Sequence, residues 1–357
     1  MTQTKTAPKS LVLVIGAGAS TEVQLPTGKK LKDQIARALD IRYENGHHQN
    51  SGDNIIASAL KEIFKENTQQ NPSFNNALHS CWRIRDAMPQ AISIDNFIDA
   101  HRKDETIAIC GKLGIARCIL EAESNSKIHF KNDNIDSRLR FNSTEATWYN
   151  SFFQILTENC QQEEIADRFK MISIITFNYD RCIEHYLHQA LQNYYGMNAI
   201  DAAEAISKLE IHHPYGRIGA LPWMDRTTGI EFGSKPSPLK LVDLAAQLRT
   251  FTEGTNPDTS DVLEIRNALA SARRIAFLGF AFHRLNLELL FPGLPINQSF
   301  KKRPIFATAI GISKSDVEAI KANLSTLGKI HIELMHFERE LTCAQLFAEH
   351  WRGLSLI

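Results

Sequence analysis

The chain of 357 residues lacks several features that would place it in a class directly. Its six cysteines contain no Cys-x-x-Cys pair, so neither a zinc ribbon nor a disulfide framework is predicted. Lysine plus arginine and aspartate plus glutamate number 40 each, and no bulk attraction to nucleic acid or to an anionic membrane follows. No apolar run has the length of a membrane span, and the opening MTQTKTAPKS lacks the apolar core of a signal peptide. We expect a soluble, cytoplasmic protein with reduced cysteines and no metal site.

A buried strand that runs into a glycine turn stands near the start of the chain. Residues 11–15, LVLVI, are apolar without a break, which is typical of a central strand covered on both faces, and GAGAS follows at 16–20. The two glycines let the backbone bend sharply and approach a ligand. An amphipathic segment at 29–40 then predicts a helix, so the unit suits a pyrophosphate. The third glycine of Gly-x-Gly-x-x-Gly is replaced by Thr21, and a tight turn kept for packing is the alternative.

The rest of the chain alternates strands with helices. This pattern predicts an α/β fold with a doubly wound, Rossmann-like parallel sheet. Residues 44–165 have mainly helical periodicity, with no sheet strand expected in the polar stretch 44–73, and we interpret them as a helical insertion. The discontinuous sheet domain then comprises residues 1–43 and 166–357. Its later strands are predicted at 171–177, 209–216, 274–279, 304–310 and 330–335, and Ser315 is predicted to cap the helix before the last strand.

Polar residues at the carboxyl ends of these strands are the candidate site, because parallel sheets bind ligands at that edge. Asn178 directly follows the apolar run IITF, and its carboxamide can bind a ligand hydroxyl or hold a water. Asp180 can accept from a second hydroxyl or cap the following helix. His213 is the best-placed general base, with a structural histidine as the alternative, and His212 competes because neighbouring strand side chains face opposite ways.

Five motifs in fixed order carry a family resemblance. GAGAS, LPTG, TFNYD, HPYG and FLGFAF together resemble the sirtuin-like superfamily of NAD-binding proteins. The chain is most similar to the bacterial sirtuin-like proteins that hydrolyse NAD in anti-phage defence. The resemblance covers about residues 11–40 and 170–290, which are the sheet-forming parts, and leaves the helical insertion aside.

The resemblance implies roles for individual residues. Asn178 would lie beside the nicotinamide ribose and help to place the attacking water, and His213 is our second predicted catalytic residue. The family's histidine directly precedes a glycine, whereas Tyr215 occupies that place here, so His212, His213 and Tyr215 all stay open as the group that acts at the ribose. The turn at Gly16–Ser20 would hold the pyrophosphate, Gly279 and Phe280 would line the adenosine side, and Asp180 would brace the end of the site near the nicotinamide ribose. The full set of predicted cofactor-binding residues is Gly16, Ala17, Gly18, Ala19, Ser20, Thr27, Asp180, Tyr215, Gly279 and Phe280.

The implied activity is that of an NAD+ glycohydrolase, which cleaves the bond between nicotinamide and ribose to give nicotinamide and ADP-ribose. The chain has neither the four-cysteine zinc module nor the Pro-Asp-Phe-Arg segment of protein deacylases, since Pro26 is followed by Thr27 and Gly28. An NAD-dependent deacylase or ADP-ribosyltransferase is therefore disfavoured. The missing His-Gly pair keeps a non-catalytic NAD or ADP-ribose sensor as the main alternative.

An enzyme that depletes NAD would harm its own host unless it has a resting state. The resemblance implies control by oligomerisation or by a partner protein such as a helicase-like ATPase or a short Argonaute. We expect a homo-oligomer with contacts through the helical insertion, no direct sequence-specific binding of nucleic acid, and no membrane contact. We also expect Gly18 and Asn178 to open onto one shared cavity.

Overall fold

A computed structural model describes residues 9–45, 48–65, 73–131, 137–250, 253, 260–293 and 302–357. Residues 1–8 of the predicted sheet domain and three short parts of the predicted insertion lie outside the described residues. The strands are β1 (Leu11–Ile15), β2 (Arg42–Glu44), β3 (His48–Ser51), β4 (Ile172–Thr176), β5 (Glu210–His212), β6 (Ile275–Leu278), β7 (Ile305–Thr308) and β8 (Met335–Glu338).

The helices before β4 are α1 (Ala17–Ser20), α2 (Gly28–Leu39), α3 (Asn54–Ile63), α4 (Phe74–Ala87), α5 (Ile94–Ala100), α6 (Glu105–Ser124), α7 (Trp148–Thr157) and α8 (Ile165–Lys170). Those after β4 are α9 (Cys182–Tyr195), α10 (Ala199–Ile206), α11 (Pro238–Ala246), α12 (Ser260–Ser271), α13 (Arg284–Leu290), α14 (Lys314–Gly328), α15 (Cys343–Glu349) and α16 (Trp351–Leu354). In the described part of the chain no helix combines the length and apolarity needed to cross a membrane.

Six of the strands form one parallel sheet in the order β5-β4-β1-β6-β7-β8. The predicted α/β fold with a parallel sheet is therefore confirmed. When the six strands of this sheet are numbered 1 to 6 in chain order, their order across the sheet is 3-2-1-4-5-6, as in dinucleotide-binding folds. In this order strands 1 to 3 extend toward one edge of the sheet, and strands 4 to 6 extend toward the other, starting beside strand 1. The switch point between the two directions lies between β1 and β6, and it is the place where such sheets open a crevice for a ligand.

The apolar strand sequences reflect burial on both faces of the sheet. Every residue of β1, β4, β6 and β7 is buried. Along β1, Leu11 and Leu13 pack with α7 on one face, whereas Val12 and Val14 pack with α12 and α13 on the other. Strands with this composition form only where helices cover both sides, because each face removes a row of apolar side chains from water.

The segment between β3 and β4 is mainly helical, and its helices divide between two cores. Helices α3 to α6 pack with α2 and α11 in a cluster of their own. Helix α7 packs instead against the sheet, since Trp148 and Phe152 share a cluster with Leu11 and Leu13. The domain boundaries at 43/44 and 165/166 stay a prediction.

Three local expectations were wrong. Residues 44–73 were expected to contain no strand, but β3 pairs with β2 in an exposed antiparallel pair whose polar residues lack an apolar signal. The last strand begins at Met335 rather than 330, after a 3-10 turn at Ile332–Leu334. Ser313 rather than Ser315 caps α14, because its hydroxyl oxygen accepts from the Asp316 N–H at 3.0 Å.

Acid destabilisation through His185 of α9 is the first testable prediction. Burial lowers the pKa of His185 to about 3, and the neutral ring stacks on Phe232 at 4.1 Å. Below the unfolded-state pKa of about 6.5, His185 binds a proton in the unfolded chain but stays neutral in the folded chain. The free energy of unfolding therefore decreases as the pH is lowered from about 6.5 to about 3. Between pH 7 and pH 5 we expect His185 to remove about 2 kcal/mol from the free energy of unfolding.

His185→Gln keeps a side-chain donor for the Ile128 carbonyl, which His185 Nε2 contacts at 3.0 Å. Urea unfolding of both proteins at pH 7 and pH 5 measures the effect. The stability difference between wild type and variant should shrink by about 2 kcal/mol at the lower pH. An equal difference at both pH values would contradict the prediction.

Candidate functional site

The turns after β1 and β6 meet at the switch point with no space between them. The Gly16 N–H donates to the Leu278 carbonyl at 2.9 Å, and the Gly18 N–H donates to the Gly279 carbonyl at 3.0 Å. A Cβ on Gly16 would lie 2.6 Å from the Gly279 oxygen, and one on Gly18 would lie 2.8 Å from it. Gly279 has φ +55° and donates its N–H to Thr308 Oγ1 at 2.8 Å. The glycines are thus required by the packing of the two turns, as the alternative interpretation of GAGAS proposed.

This packing also decides which backbone donors of the turn a phosphate can use. Three N–H groups of the turn already donate within the protein. They are those of Gly16 and Gly18, described above, and that of Ala19, which donates to the Gly16 carbonyl at 3.0 Å. The Ala17 N–H makes no backbone hydrogen bond in the described part of the chain. Helix α1 has only four residues, so its dipole is small. An anion at this turn would therefore accept a backbone hydrogen bond mainly from the Ala17 N–H.

A cavity of about 360 Å³ opens at the carboxyl ends of β1, β6, β7 and β8. Four predicted cofactor-binding residues line it, namely Gly18, Thr27, Gly279 and Phe280. The remaining walls include Glu22, Thr308, Ile310, Ile312, Thr342 and Cys343. Thr27 also caps α2 by accepting from the Lys30 N–H at 3.4 Å. The volume of this cavity falls in the range of about 300 to 1,000 Å³ that is typical of small-molecule sites.

Asn178 contacts the same turn from the other side. Its Nδ2 donates to the Gly16 carbonyl at 3.2 Å and to Ser20 Oγ at 3.1 Å, and the residue is 7% exposed. Its Oδ1 accepts no hydrogen bond among the described residues. Asn178 does not line the 360 Å³ cavity. Gly18 and Asn178 therefore do not share the 360 Å³ cavity, and the expectation that both open onto one cavity is not met at this site.

Asp180 contacts the glycine turn and the start of α9, whose N-cap is Arg181 rather than Asp180. One oxygen accepts from the Ser20 hydroxyl at 3.1 Å, and the other accepts from the Cys182 N–H at the start of α9, also at 3.1 Å. Burial raises the pKa of Asp180 above its usual value. The Tyr149 hydroxyl lies 3.3 Å from Ser20 Oγ, and burial raises the pKa of Tyr149 as well. Ser20 is thus the centre of a buried polar network that joins β1, β4 and α7.

His213 links the Asn178 backbone to a buried carboxylate. Its Nδ1 lies 3.3 Å from the Asn178 carbonyl oxygen, and its Nε2 lies 2.8 Å from Glu184 Oε1. Both partner atoms only accept hydrogen bonds, so each contact requires a hydrogen on the ring nitrogen that makes it. The ring thus joins the Asn178 backbone to the Glu184 carboxylate, and the role of His213 as a base stays a prediction.

Glu184 is fully buried beside His213. Burial pushes the pKa of Glu184 up, but the His213 ring and the Arg217 guanidinium, 3.5 Å away, outweigh it and hold the pKa below its usual value. The second oxygen, Oε2, is buried without a hydrogen-bond partner. Nothing in the sequence marked Glu184, because it lies on α9 among apolar residues and its partner is 29 positions further along the chain.

Tyr215 lies near the cavity residue Phe280 but does not face His213. Its hydroxyl donates to Asn286 Oδ1, and burial raises its pKa. The rings of Phe177 and Tyr215 meet edge to face at 5.5 Å, and Phe177 contacts Phe280 at 5.1 Å. Tyr215 therefore packs in an aromatic cluster between the two halves of the site.

His212 points away from the other candidates. Its Nε2 is 4.0 Å from Glu210 Oε2 on the same strand, which fits the expected alternation with His213. The strand-end rule that selected Asn178 also applies to Thr308, the last residue of β7, and would have identified it as a site residue. Glu22 was missed for lack of a local signal: its carboxylate accepts from the Trp148 N–H at 2.6 Å and the Ala344 N–H at 3.0 Å.

The predicted residues are brought together from distant parts of the chain. Contacts of 3.0 to 3.3 Å lead from Gly279 through the Gly16–Ser20 turn to Asn178 and His213. Among the described residues, no group of three or more His, Cys, Asp and Glu side chains is placed to hold a metal ion. No protein-family model and no curated protein matches the chain.

Proposed function

We propose that this protein is an NAD+ glycohydrolase that binds its substrate at the switch point of the sheet. The observation that carries the proposal is the 360 Å³ cavity at the carboxyl ends of β1, β6, β7 and β8, which Gly18, Thr27, Gly279 and Phe280 line together. Strand order adds support, since dinucleotides bind at this point in sheets of the same order. The resemblance of the motifs to sirtuin-like proteins supports NAD as the dinucleotide.

In the proposed reaction the bond between C1′ of the ribose and the pyridinium nitrogen breaks. The electron pair stays with the nitrogen and gives neutral nicotinamide, while a water oxygen bonds to C1′ and releases a proton to solvent. Pyridinium nitrogen leaves without protonation, so the protein's task is to orient the ribose, stabilise its developing positive charge and place the water. The Asn178 carboxamide, whose Oδ1 is free of hydrogen bonds from the described residues, is the group that we assign to the water. This assignment places the adenosine and the pyrophosphate in the cavity, and the nicotinamide ribose outside it, on the Asn178 side of the Gly16–Ser20 turn.

The buried carboxylates suit a cationic transition state. Glu184 lies two hydrogen bonds from Asn178, through the His213 ring, and Asp180 contacts the same Ser20 hydroxyl as Asn178. We assign His213 to holding the Asn178 backbone, with Glu184 fixing the ring. Depletion of NAD by this reaction would serve the predicted role in anti-phage defence, with an oligomer or a partner protein setting the resting state.

A second candidate function is binding of NAD or ADP-ribose without turnover. The observation in its favour is that both predicted catalytic side chains are engaged inside the protein, Asn178 by Gly16 and Ser20, and His213 by Glu184. In such a sensor the 360 Å³ cavity binds the nucleotide, and the network behind the turn reports its presence to α9.

Release of nicotinamide from NAD+ distinguishes the two functions. We expect wild type to release nicotinamide and Asn178→Ala to release it at least about a hundredfold more slowly, because the variant no longer positions the water for attack on C1′. NAD+ binding, measured by equilibrium dialysis, should persist in Asn178→Ala, since this side chain does not line the cavity. Asn323→Ala removes an exposed carboxamide on α14, away from the cavities described here, and serves as the matched control.

Each outcome selects one function. Release by wild type and Asn323→Ala, but not by Asn178→Ala, supports the hydrolase. NAD+ binding without release by wild type, alone and with the products of neighbouring genes, supports the sensor. Absence of NAD+ binding overturns both. His213→Ala with full activity would contradict the positioning role of His213 and leave the hydrolase standing.

A further inference from the structure

Two adjoining cavities lie on the outer side of α9 and share no lining residue with the 360 Å³ cavity. One, of about 610 Å³, lies between α9, the loop at 221–232 and residues 137–141. The other, of about 550 Å³, lies over residues 127–131 and 137–143. They share Phe130, Ser137 and Arg138, so a ligand of moderate length can occupy both.

The 550 Å³ cavity is strongly basic. Lys127, Lys131, Arg138 and Arg140 all line it, and all four are exposed. In the described part of the chain none of the four side chains makes an ion pair or a hydrogen bond. Asp133 and Asp136 of the intervening sequence lie outside the described residues. Four cations that have no partner among the described residues surround one cavity, in a chain with 40 residues of each sign. This local concentration suits a multiply charged anion.

The 610 Å³ cavity is lined by aromatic rings and amides. Phe232 stacks on His185 at 4.1 Å, and Trp223 stacks on His188 at 4.6 Å, with interplanar angles of 5° and 8°. These stacked pairs present flat, rigid walls. The amides of Gln189, Gln192 and Asn193 lie at the same cavity. The Nε2 groups of Gln189 and Gln192 already contact His188, so their carbonyl oxygens and the Asn193 amide are the groups that can hydrogen-bond the edge of a planar heterocycle.

We propose that the two cavities together bind a nucleoside polyphosphate. The phosphates lie among Lys127, Lys131, Arg138 and Arg140, and the base lies in the aromatic cavity, where Trp223 and Phe130 offer ring faces for stacking. Because Ser137 and Arg138 line both cavities, the base and the phosphates of one nucleotide can occupy the two cavities at the same time. A polynucleotide would instead need cations along an extended groove, whereas these cations surround a single cavity.

Isothermal titration of the full chain with ATP tests this site. We expect wild type to bind ATP, and Arg138→Ala/Arg140→Ala to bind it at least about tenfold more weakly, because each charged hydrogen bond that is lost costs about that factor. Lys208→Ala/Lys235→Ala removes two exposed lysines outside both cavities and should leave the affinity unchanged. Adenosine and tripolyphosphate, each offering one half of the ligand, should both bind more weakly than ATP.

The base and the site each have an independent readout. Quenching of tryptophan fluorescence by ATP should disappear in Trp223→Phe, whose ring keeps the stack on His188. The Arg138→Ala/Arg140→Ala protein should release nicotinamide at the wild-type rate if the hydrolase proposal is correct. Failure of wild type to bind ATP, or full ATP affinity in the arginine variant, would overturn this site. A single-stranded oligonucleotide that binds more tightly than ATP, with an affinity that grows with length, would overturn the choice of a nucleotide.

Discussion

Gly279→Ala is expected to lower the free energy of unfolding by about 3 to 5 kcal/mol, the sum of left-handed strain and overpacking. A Cβ on Gly279 would lie 1.9 Å from the Ala19 nitrogen and 2.3 Å from the Gly18 carbonyl carbon, and the residue has φ +55°. Both obstacles are backbone atoms, which cannot rotate aside. The two central strands would have to separate, and the hydrogen bonds of Gly18 to Gly279 and of Gly279 to Thr308 would break.

Gly196→Ala is the matched control for this substitution. Gly196 has φ +70° but nothing within 4 Å of an added Cβ, so only the left-handed strain remains, about 1 to 2 kcal/mol. Urea unfolding of the three proteins at pH 7 measures the difference. Equal losses in Gly279→Ala and Gly196→Ala would contradict the close packing of the two turns, and the NAD+ site proposed in the cavity that both turns line would lose its basis.

Arg181→Met is expected to lower the free energy of unfolding by about 3 to 5 kcal/mol, because it leaves a buried carboxylate without its counter-ion. Arg181 and Glu123 are both fully buried, with Nη2 2.5 Å from Oε2 and Nε 3.1 Å from Oε1. The same guanidinium donates to the carbonyls of Ala220, Ile230 and Glu231. Loss of Arg181 therefore also releases the loop at 220–231 from the start of α9.

Lys170→Met is the control, since the Lys170–Asp167 pair is exposed and such pairs contribute at most about 1 kcal/mol. Hydrogen exchange adds a local readout. Amides at 220–233 should exchange faster in Arg181→Met at a denaturant concentration where the sheet stays protected. A loss below about 1 kcal/mol, equal to that of Lys170→Met, would show that the buried pair does not hold the loop.

Much of the sheet could be predicted because its signal is local. The runs LVLVI and IAFL are apolar throughout, and ISIIT is apolar except for Ser173 and Thr176. A short, largely apolar run of this kind indicates a strand buried on both faces. The pair β2 and β3 was missed for the same reason: it is exposed and polar, so it carries no such run. Ser313 and Ser315 are equally good caps by residue type, and only the position of α14 selected Ser313.

The sequence by itself determined the α/β class, the glycines at the first turn and the polar residues that follow the strands, because each depends on neighbours within a few positions. The tertiary structure alone decided the strand order, the engagement of Asn178 by Gly16 and Ser20, and the pairing of His213 with Glu184. It also placed the glycine turn between Asn178 and the 360 Å³ cavity. These features join residues that are far apart along the chain. Their contacts depend on which elements pack together, and no local pattern encodes that choice.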